Sequence, residues 1–184
     1  VTGVQTCALP ISGDAKARTI DCTVTIHADH GPVTFGDTKE GSMALRLPTS
    51  LQLKNIDGST GVAGHCVNSA GDRDAAVWSK RARWVDYWGP IAGRTVGVAV
   101  LDHPGNLRHP THWHARDYGL VAANPFGLHD FTGDTNAHLG DLIVPPYESR
   151  VFRYRILIHR GDATVGEVRE RYHDFVNPPV VELR

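Results

Sequence analysis

The stretch VFRYRILIH (Val151–His159) alternates apolar and polar side chains along most of its length. In an extended strand, successive side chains point to opposite faces. One face would carry Phe152, Tyr154, Ile156 and Ile158. The opposite face would carry Arg153, Arg155 and His159. This period of two predicts a half-buried β-strand.

A second stretch, TIDCTVTI (Thr19–Ile26), has the same period. Its predicted inner face carries Ile20, Cys22, Val24 and Ile26. Further segments with strand character are Val33–Phe35, Met43–Leu47, Ala82–Tyr87, Thr95–Leu101 and His112–Tyr118. Segments rich in Gly, Pro, Asn and Asp separate them, as is typical of turns. The sequence therefore predicts a series of short strands.

Only Thr164–Phe175 has the pattern of a helix. Its apolar side chains recur at spacings of three and four residues: Val165, Val168, Tyr172 and Phe175. Many short strands and one late amphipathic helix predict an all-β protein, because a parallel sheet would need a helix between each pair of strands. We expect an antiparallel β-sandwich with one C-terminal amphipathic helix.

The composition fits one ordinary domain, with 184 residues, 41% hydrophobic and 21% charged. A formal net charge of −1 gives no general attraction to phosphate backbones, so we predict no nucleic-acid partner. No apolar run approaches the roughly 18 residues that a membrane helix needs, so we predict no membrane insertion. The expected partner is a small-molecule or carbohydrate ligand.

The first residues, VTGVQTCALPI, match the in-frame translation of a common sequencing adapter that is found at the start of truncated metagenomic reading frames. We therefore predict that residues 1–12 are not native and that residues 13–184 form a single sandwich domain lacking its N-terminal strands. A real but disordered tail is the alternative. Loss of these strands would leave an unpaired sheet edge. An export signal would have been lost as well, so the compartment is not predicted.

Five of the eleven histidines fall between Asp102 and Asp130. On an extended strand one face would carry His112, His114, Arg116 and Tyr118. Such polar side chains are costly to bury without partners, so this face is expected to line a wet cleft or to meet solvent. In the functional interpretation His112 and His114 are acid/base catalysts, because imidazole exchanges protons near neutral pH. An ordinary solvent-facing strand is the alternative.

A His-x-His pair on a strand is also a geometry that binds metal ions. A third ligand beside His112 and His114 would then come from His129, His103 or Asp130. We predict no cofactor, with a metal at His112, His114 and His129 as the alternative. The two cysteines outside the first twelve residues lack zinc-type spacing, and Cys22 is interpreted as a small core residue.

The segment Gly36–Gly41 places two carboxylates and a lysine between glycines. Asp37 and Glu40 are the predicted acid/base partners of the histidines, and a solvated hairpin tip is the alternative. The predicted ligand-binding side chains are Lys39, Arg83, Trp84, His103, Arg116 and Asn124. In the tract that begins at Lys80, Arg81 and Arg83 would share one strand face, opposite Trp84 and Trp88.

Four long motifs carry a resemblance to a known family. They are GDTKEGS (residues 36–42), KRARWVDYWGP (80–90), LDHPGNLRHPTHWHARDYGLVAANPFG (101–127) and YRILIHRGDA (154–163). These motifs resemble the PmoA-like family of unknown function, often labelled "methane oxygenase PmoA". A membrane methane monooxygenase subunit needs spanning helices, and this sequence has no candidate for one, so we do not predict methane oxidation.

The β-rich pattern is similar to the mutarotase-like supersandwich, whose members bind or transform carbohydrates. By this analogy we predict a carbohydrate-active protein that uses histidine and carboxylate acid/base chemistry on a sugar or sugar derivative. A noncatalytic glycan-binding module is the first alternative, and a metal-dependent oxidoreductase is the second. Serine-nucleophile, nucleotide-binding and dinucleotide-binding motifs are missing from the sequence.

Overall fold

The computed structural model describes residues 4–8, 10–55, 57 and 63–178 and is built mainly from antiparallel strands. The strands are β1 (Val4–Ala8), β2 (Ile11–Gly13), β3 (Ala17–His27), β4 (Val33–Phe35), β5 (Met43–Arg46), β6 (His65–Asn68), β7 (Arg81–Ala82), β8 (Trp84–Ile91), β9 (Arg94–Asp102), β10 (Thr111–Ala115), β11 (Leu120–Asn124), β12 (Leu142–Val144) and β13 (Ser149–Arg160). The helices are α1 (Leu128–Thr132) and α2 (Val168–Val176), with short 3₁₀ turns at Thr49–Leu51 and Asp74–Val77.

These strands form two main sheets. Within the described residues, the larger sheet has the order β1-β3-β13-β9-β8-β6, with β2 also pairing with β3. The smaller sheet has the order β5-β11-β10-β7, and β12 pairs separately with β4. The long strands β3 and β13 pair over eleven residues, from Ala17 opposite His159 to His27 opposite Ser149. The two strands with the clearest period of two are therefore neighbours at the centre of the larger sheet.

The main core lies between the two sheets. The larger sheet contributes side chains that include Cys22, Val85, Tyr87, Val100, Phe152, Tyr154 and Ile156. The smaller sheet contributes Ala82, Trp113, Ala115, Val121 and Ala123. Two antiparallel sheets that bury their facing sides against each other define the predicted all-β sandwich, and the prediction of fold class is confirmed. Cys22 is a core residue, as expected, and it and Cys66 are buried thiols.

A second core covers the opposite face of the larger sheet. Helix α2 packs there through Val168 and Tyr172 onto Trp84, Leu101 and Leu157. The alternation of β13 therefore has two buried faces at its C-terminal end. His159, which the pattern placed on a polar face, is 3% exposed, and its Nε2 lies 3.0 Å from Asp86 Oδ1. Burial on the α2 side of the sheet is the reason that His159 does not meet solvent, whereas Arg153 on the same face is exposed.

Two predicted boundaries are wrong. Strand β10 ends at Ala115, and the following residues form a turn in which Gly119 has a φ of +78°. Helix α2 begins at Val168 instead of Thr164. The side chain of Asp162 accepts hydrogen bonds from the backbone N–H groups of Thr164 and Val165, which form a separate turn before the helix.

Four elements have no clear sequence signal. Strand β11 (LVAAN) is buried on both faces for most of its length, so it lacks the alternation of a half-buried strand. The strands β6 and β12 have only four and three residues. Helix α1 has five residues, which is too short for a helical period to emerge.

The edge of β3 that was expected to be exposed carries β1 and β2 in the structure. β1 and all of β2 except Gly13 fall within residues 1–12, whose adapter origin stays a prediction. Residues 1–3 and 9 lie outside the described part of the chain. Backbone pairing satisfies the N–H and C=O groups of β3 whatever the origin of the paired segment. Among the described helices, none has the length and apolar character needed to cross a membrane.

Candidate functional site

The outer face of the smaller sheet carries the predicted histidine pair. His112 lies opposite Asn124 on β11 and opposite Arg81 on β7. The segment Gly36–Gly41 lies over this face, because Nδ1 of His114 donates to the Lys39 carbonyl oxygen over 2.7 Å. The structure therefore brings the histidine strand and the acidic segment together, although 75 residues separate His114 from Lys39.

His112 is held with one ring nitrogen available. Its Nδ1 lies 2.7 Å from the carbonyl oxygen of Ser79, and because that oxygen only accepts, Nδ1 carries the proton. The Phe131 ring stacks on the imidazole with 5.3 Å between centroids. Burial and the nearby Arg81 charge lower the pKa of His112 below its usual value, against an opposing effect of the Ser79 hydrogen bond. His112 is therefore a neutral imidazole whose Nε2 has a lone pair.

A pocket of about 210 Å³ opens beside His112. Its lining residues are Arg81, Arg108, His112, Pro125 and Leu128. Two arginines and a histidine therefore line this space, and none of the carboxylates in the described part of the chain does. The pocket therefore favours a ligand with a negative charge or with several hydroxyl groups.

Both arginines of the pocket are anchored by backbone oxygens. Arg108 donates from Nη1 to the carbonyls of Pro125 and Gly140 over 2.6 Å each, and from Nη2 to that of Asp141. Arg81 donates from Nε to the carbonyl of Pro110 over 2.8 Å. Arg81 has no such bond from Nη1 within the described residues, so this nitrogen remains for a ligand.

His114 has a different environment from His112. It is 3% exposed and is covered by the edge of the Phe131 ring and by the Lys39 backbone. It does not line the pocket. The structure supports a role in positioning the Gly36–Gly41 segment and gives no contact that would make His114 the second acid/base catalyst.

Asp37 is turned away from His112. Its carboxylate is buried and accepts hydrogen bonds from the backbone N–H groups of His129 and Gly140, and the ring Nδ1 of His129 lies 2.7 Å from Oδ1. Burial raises the pKa of Asp37, but these hydrogen bonds outweigh burial and hold the pKa below its usual value. A Cβ atom at Gly140 would lie 1.6 Å from the carbonyl oxygen of Phe126, so this close approach requires glycine. Asp37 stabilises the loops over the sheet.

The other predicted residues in and around this segment differ in their exposure to solvent. Glu40 and the Lys39 side chain are exposed, and the Lys39 backbone N–H donates to Asp130 Oδ2 over 3.2 Å. Asn124 is fully buried. Its side chain donates to the Thr38 carbonyl and accepts from the N–H groups of Phe126 and Gly127. Asn124 therefore holds the loops in place and does not point into the pocket.

Three predicted ligand-binding residues lie elsewhere. Trp84 is part of the second core, where its ring has no surface for a sugar. The Arg83 guanidinium lies 5.7 Å from the Tyr172 ring on α2. His103 packs edge-on against Phe175, also on α2, with 5.3 Å between ring centroids. These residues belong to the helix-covered side of the larger sheet, and the structure does not bring them to His112.

Arg116 lies beyond the C-terminal end of β10. Its guanidinium is 5.9 Å from the centroid of the Trp78 ring and 5.7 Å from that of Tyr118. It does not share a strand face with His112, because the strand ends one residue before it. Arg116 therefore sits near the histidine face but outside the pocket.

The alternative metal set is not assembled. Nδ1 of His129 is paired with Asp37, and this pairing raises the pKa of His129. Within the part of the chain that the structure describes, no three His, Cys, Asp or Glu side chains come together as metal ligands. The chemistry supported by this site is proton transfer and anion binding.

Sequence reasoning missed three residues that shape the pocket. Arg81 was recognised only as a neighbour of Arg83, Arg108 only as part of the histidine-rich stretch, and Phe131 not at all. Phe131 was hidden because a five-residue helix has no readable period. The position of Arg81 follows from strand pairing: when β7 pairs with β10, Arg81 lies opposite His112 and both side chains point to the same face.

The fold and site together define a β-sandwich protein with a positively charged pocket beside a neutral histidine. Residues 5–173 match a family of unknown function (DUF6807), and the chain belongs to this family. No curated protein matches the chain. No solved structure matches it either.

Proposed function

We propose that this chain is a carbohydrate-active protein that binds an acidic sugar in the pocket and uses His112 as a general base. The observation that carries the proposal is the available Nε2 of a neutral His112 in a pocket lined by Arg81 and Arg108. The choice of a sugar rests on the analogy with mutarotase-like sandwiches. The resemblance of the motifs to PmoA-like proteins is part of the same proposal.

The pocket suits removal of a proton next to a carboxylate. The carboxylate of a uronic acid would bind the guanidinium groups of Arg81 and Arg108. Nε2 of His112 would form a bond to the proton on the adjacent carbon, and the C–H electron pair would pass into the carboxylate. The two positive charges stabilise the added negative charge. Return of the proton from Nε2 to the carbon restores the sugar, with or without inversion.

The first test combines binding with hydrogen exchange. We expect galacturonate or glucuronate to bind in calorimetry, with neutral galactose and glucose binding more weakly. In D₂O, the proton next to the carboxylate should exchange with solvent, as followed by NMR. H112Q should abolish exchange and keep the fold, because glutamine is not a base near pH 7.

The second variant, R81Q, removes one positive charge from the pocket. R81Q should weaken uronate binding by about tenfold, since one charge-assisted hydrogen bond is worth about 1.5 kcal/mol or more. R94Q is the matched control, because Arg94 is an exposed arginine at the start of β9 and does not line the pocket. Equal affinity for acidic and neutral sugars, or an unchanged exchange rate in H112Q, would contradict the proposal.

One observation favours a noncatalytic glycan-binding module as the second candidate. Among the described residues no carboxylate lines the pocket, because Asp37 is committed to His129 and Gly140 and Glu40 is exposed on its segment. The pocket therefore has a base but no neighbouring acid of the predicted kind. Saturable uronate binding with no solvent exchange would establish this second candidate.

A further inference from the structure

We infer that the ligand of this protein is an acidic oligosaccharide and that the pocket holds only one of its sugar units. This inference rests on the proposed function. It is carried by a continuous row of arginine and aromatic side chains that leads from His112 to the far end of strand β10. We call this row the arginine–aromatic row and define it by Phe131, Trp78, Arg116, Tyr118 and Arg46.

The row is continuous contact by contact. Phe131, which stacks on His112, meets Trp78 edge to face with 5.9 Å between ring centroids. The Arg116 guanidinium lies 5.9 Å from the Trp78 ring and 5.7 Å from the Tyr118 ring. Arg46 then lies 4.9 Å from the Tyr118 ring. From the pocket outward, two aromatic rings are therefore followed by a guanidinium group, a third ring and a second guanidinium group.

The length of the row exceeds that of one sugar. Four residues separate His112 from Arg116 along a strand, which spans about 13 Å at roughly 3.3 Å per residue. Tyr118 and Arg46 lie further on, at the exposed end of the smaller sheet. A single sugar in the pocket would leave Arg116 and Arg46 without a ligand, whereas a chain of several sugars would reach both.

The charge of the row selects an acidic chain. Arg116 and Arg46 form no salt bridge with any residue that the structure describes, and the nearby Asp117 is engaged by Lys54 at 2.9 Å. With Arg81 and Arg108, the pocket and row present four guanidinium groups. Carboxylates of successive uronic acids would bind these groups.

Trp78 adds an unmet hydrogen-bonding requirement. Its Nε1 atom is buried and has no hydrogen-bond partner within the described part of the chain. A buried N–H without an acceptor costs free energy, so an acceptor on a ligand would stabilise this position.

The experiment compares chain lengths of one acid. We expect trigalacturonate to bind the wild-type chain about tenfold more tightly than galacturonate, because the second and third sugars bind intramolecularly. The R46Q and R116Q variants should remove most of this gain while leaving the affinity for galacturonate unchanged. R94Q serves as the control of equal charge change, and cellotriose serves as the neutral trisaccharide.

The outcomes separate this inference from the proposed function. Binding of galacturonate with no gain for trigalacturonate would overturn the oligosaccharide inference alone. A gain that persists in both R46Q and R116Q would overturn the assignment to the row. Binding of a trinucleotide as tight as that of trigalacturonate would show a general polyanion surface and overturn it as well. Failure of both acids to bind would overturn the proposed function together with the inference.

Discussion

At the scale of single residues, two histidines two positions apart share a tautomer and differ in role. In each, Nδ1 is bonded to a backbone carbonyl oxygen, that of Ser79 for His112 and that of Lys39 for His114. The same bond therefore leaves Nε2 as the unprotonated nitrogen in both rings. The difference lies in access, since His112 lines the pocket and His114 is buried below the loop.

The pair of Asp37 and His129 gives a pH-dependent prediction. Its effect on stability follows from two pKa shifts of opposite sign. Because the pKa of Asp37 is lower in the folded chain than the unfolded value of 3.8, the ionised carboxylate stabilises the fold at pH values above 3.8. This stabilisation is lost as the pH falls through the folded pKa. Because the pKa of His129 is higher in the folded chain than the unfolded value of 6.5, the protonated imidazole stabilises the fold at pH values below 6.5. This stabilisation is lost as the pH rises through the folded pKa.

We therefore expect the stability difference between the wild-type chain and D37N to be largest from about pH 4 to pH 6.5. D37A should destabilise the chain further, by about 2 to 3 kcal/mol in total, because two backbone N–H groups lose their acceptor. Urea denaturation across pH 3 to 9 measures both effects. D29N is the control, because Asp29 is an exposed aspartate on the turn between β3 and β4. A difference independent of pH would contradict the assigned pair.

At the scale of elements, helix α2 is held to the larger sheet by burial and by polar contacts, among them one at Tyr172. Tyr172 is 7% exposed within the second core, and its hydroxyl lies 3.4 Å from His109 Nε2. The His109 ring is itself oriented by Asp102, at 2.8 Å from Nδ1. The long hydroxyl contact is weak by its geometry, so apolar burial dominates the docking of the helix.

Tyr172 variants separate these two contributions. Y172F keeps the ring and should cost less than about 1 kcal/mol, whereas Y172A creates a cavity under α2 and should cost about 3 kcal/mol. The free energy of unfolding from denaturant titration measures both. Y147A is the matched control, because Tyr147 is 87% exposed. Equal losses for Y172F and Y172A would show that the hydroxyl contact, and not packing, holds the helix.

At the scale of the whole molecule, the larger sheet separates two polar regions. One is the pocket with the arginine–aromatic row on the smaller sheet. The other includes Asp102, His109 and Tyr172 beneath α2. The predicted residues Arg83, Trp84 and His103 fall in or near this second region. The tract that begins at Lys80 therefore supplies Arg81 to the pocket and Arg83 and Trp84 to the region beneath α2.

The pairing of β1 and β2 with β3 gives a prediction for the whole chain. Removal of residues 1–12 would leave the backbone of β3 unpaired along its outer edge, and unpaired edges promote association. We expect the shortened chain to self-associate at concentrations at which the given chain is monodisperse, as measured by analytical ultracentrifugation. A monomeric shortened chain would show that these strands do not protect the edge.

The sequence by itself determined the class of fold and the two long strands, β3 and β13. It did not determine that the predicted strand Ala82–Tyr87 is divided between β7 and β8, which lie in different sheets. Alternation along Val151–His159 and Thr19–Ile26 is local, because it depends only on successive side chains pointing to opposite sides of one strand. For the same reason the sequence predicted that His112 and His114 share one strand face. The end of β10 was not predicted, because a turn at Gly119 ended the strand before Arg116.

Only the tertiary structure decided which polar groups meet. Asp37 pairs with His129, 92 residues away, and not with His112, because α1 and the Gly140 loop pack against the Gly36–Gly41 segment. Arg81 and Arg108 enter the pocket through strand pairing and loop packing that no local pattern encodes. Side-chain alternation is fixed by covalent geometry within a strand, whereas contacts between distant segments depend on how the whole chain packs.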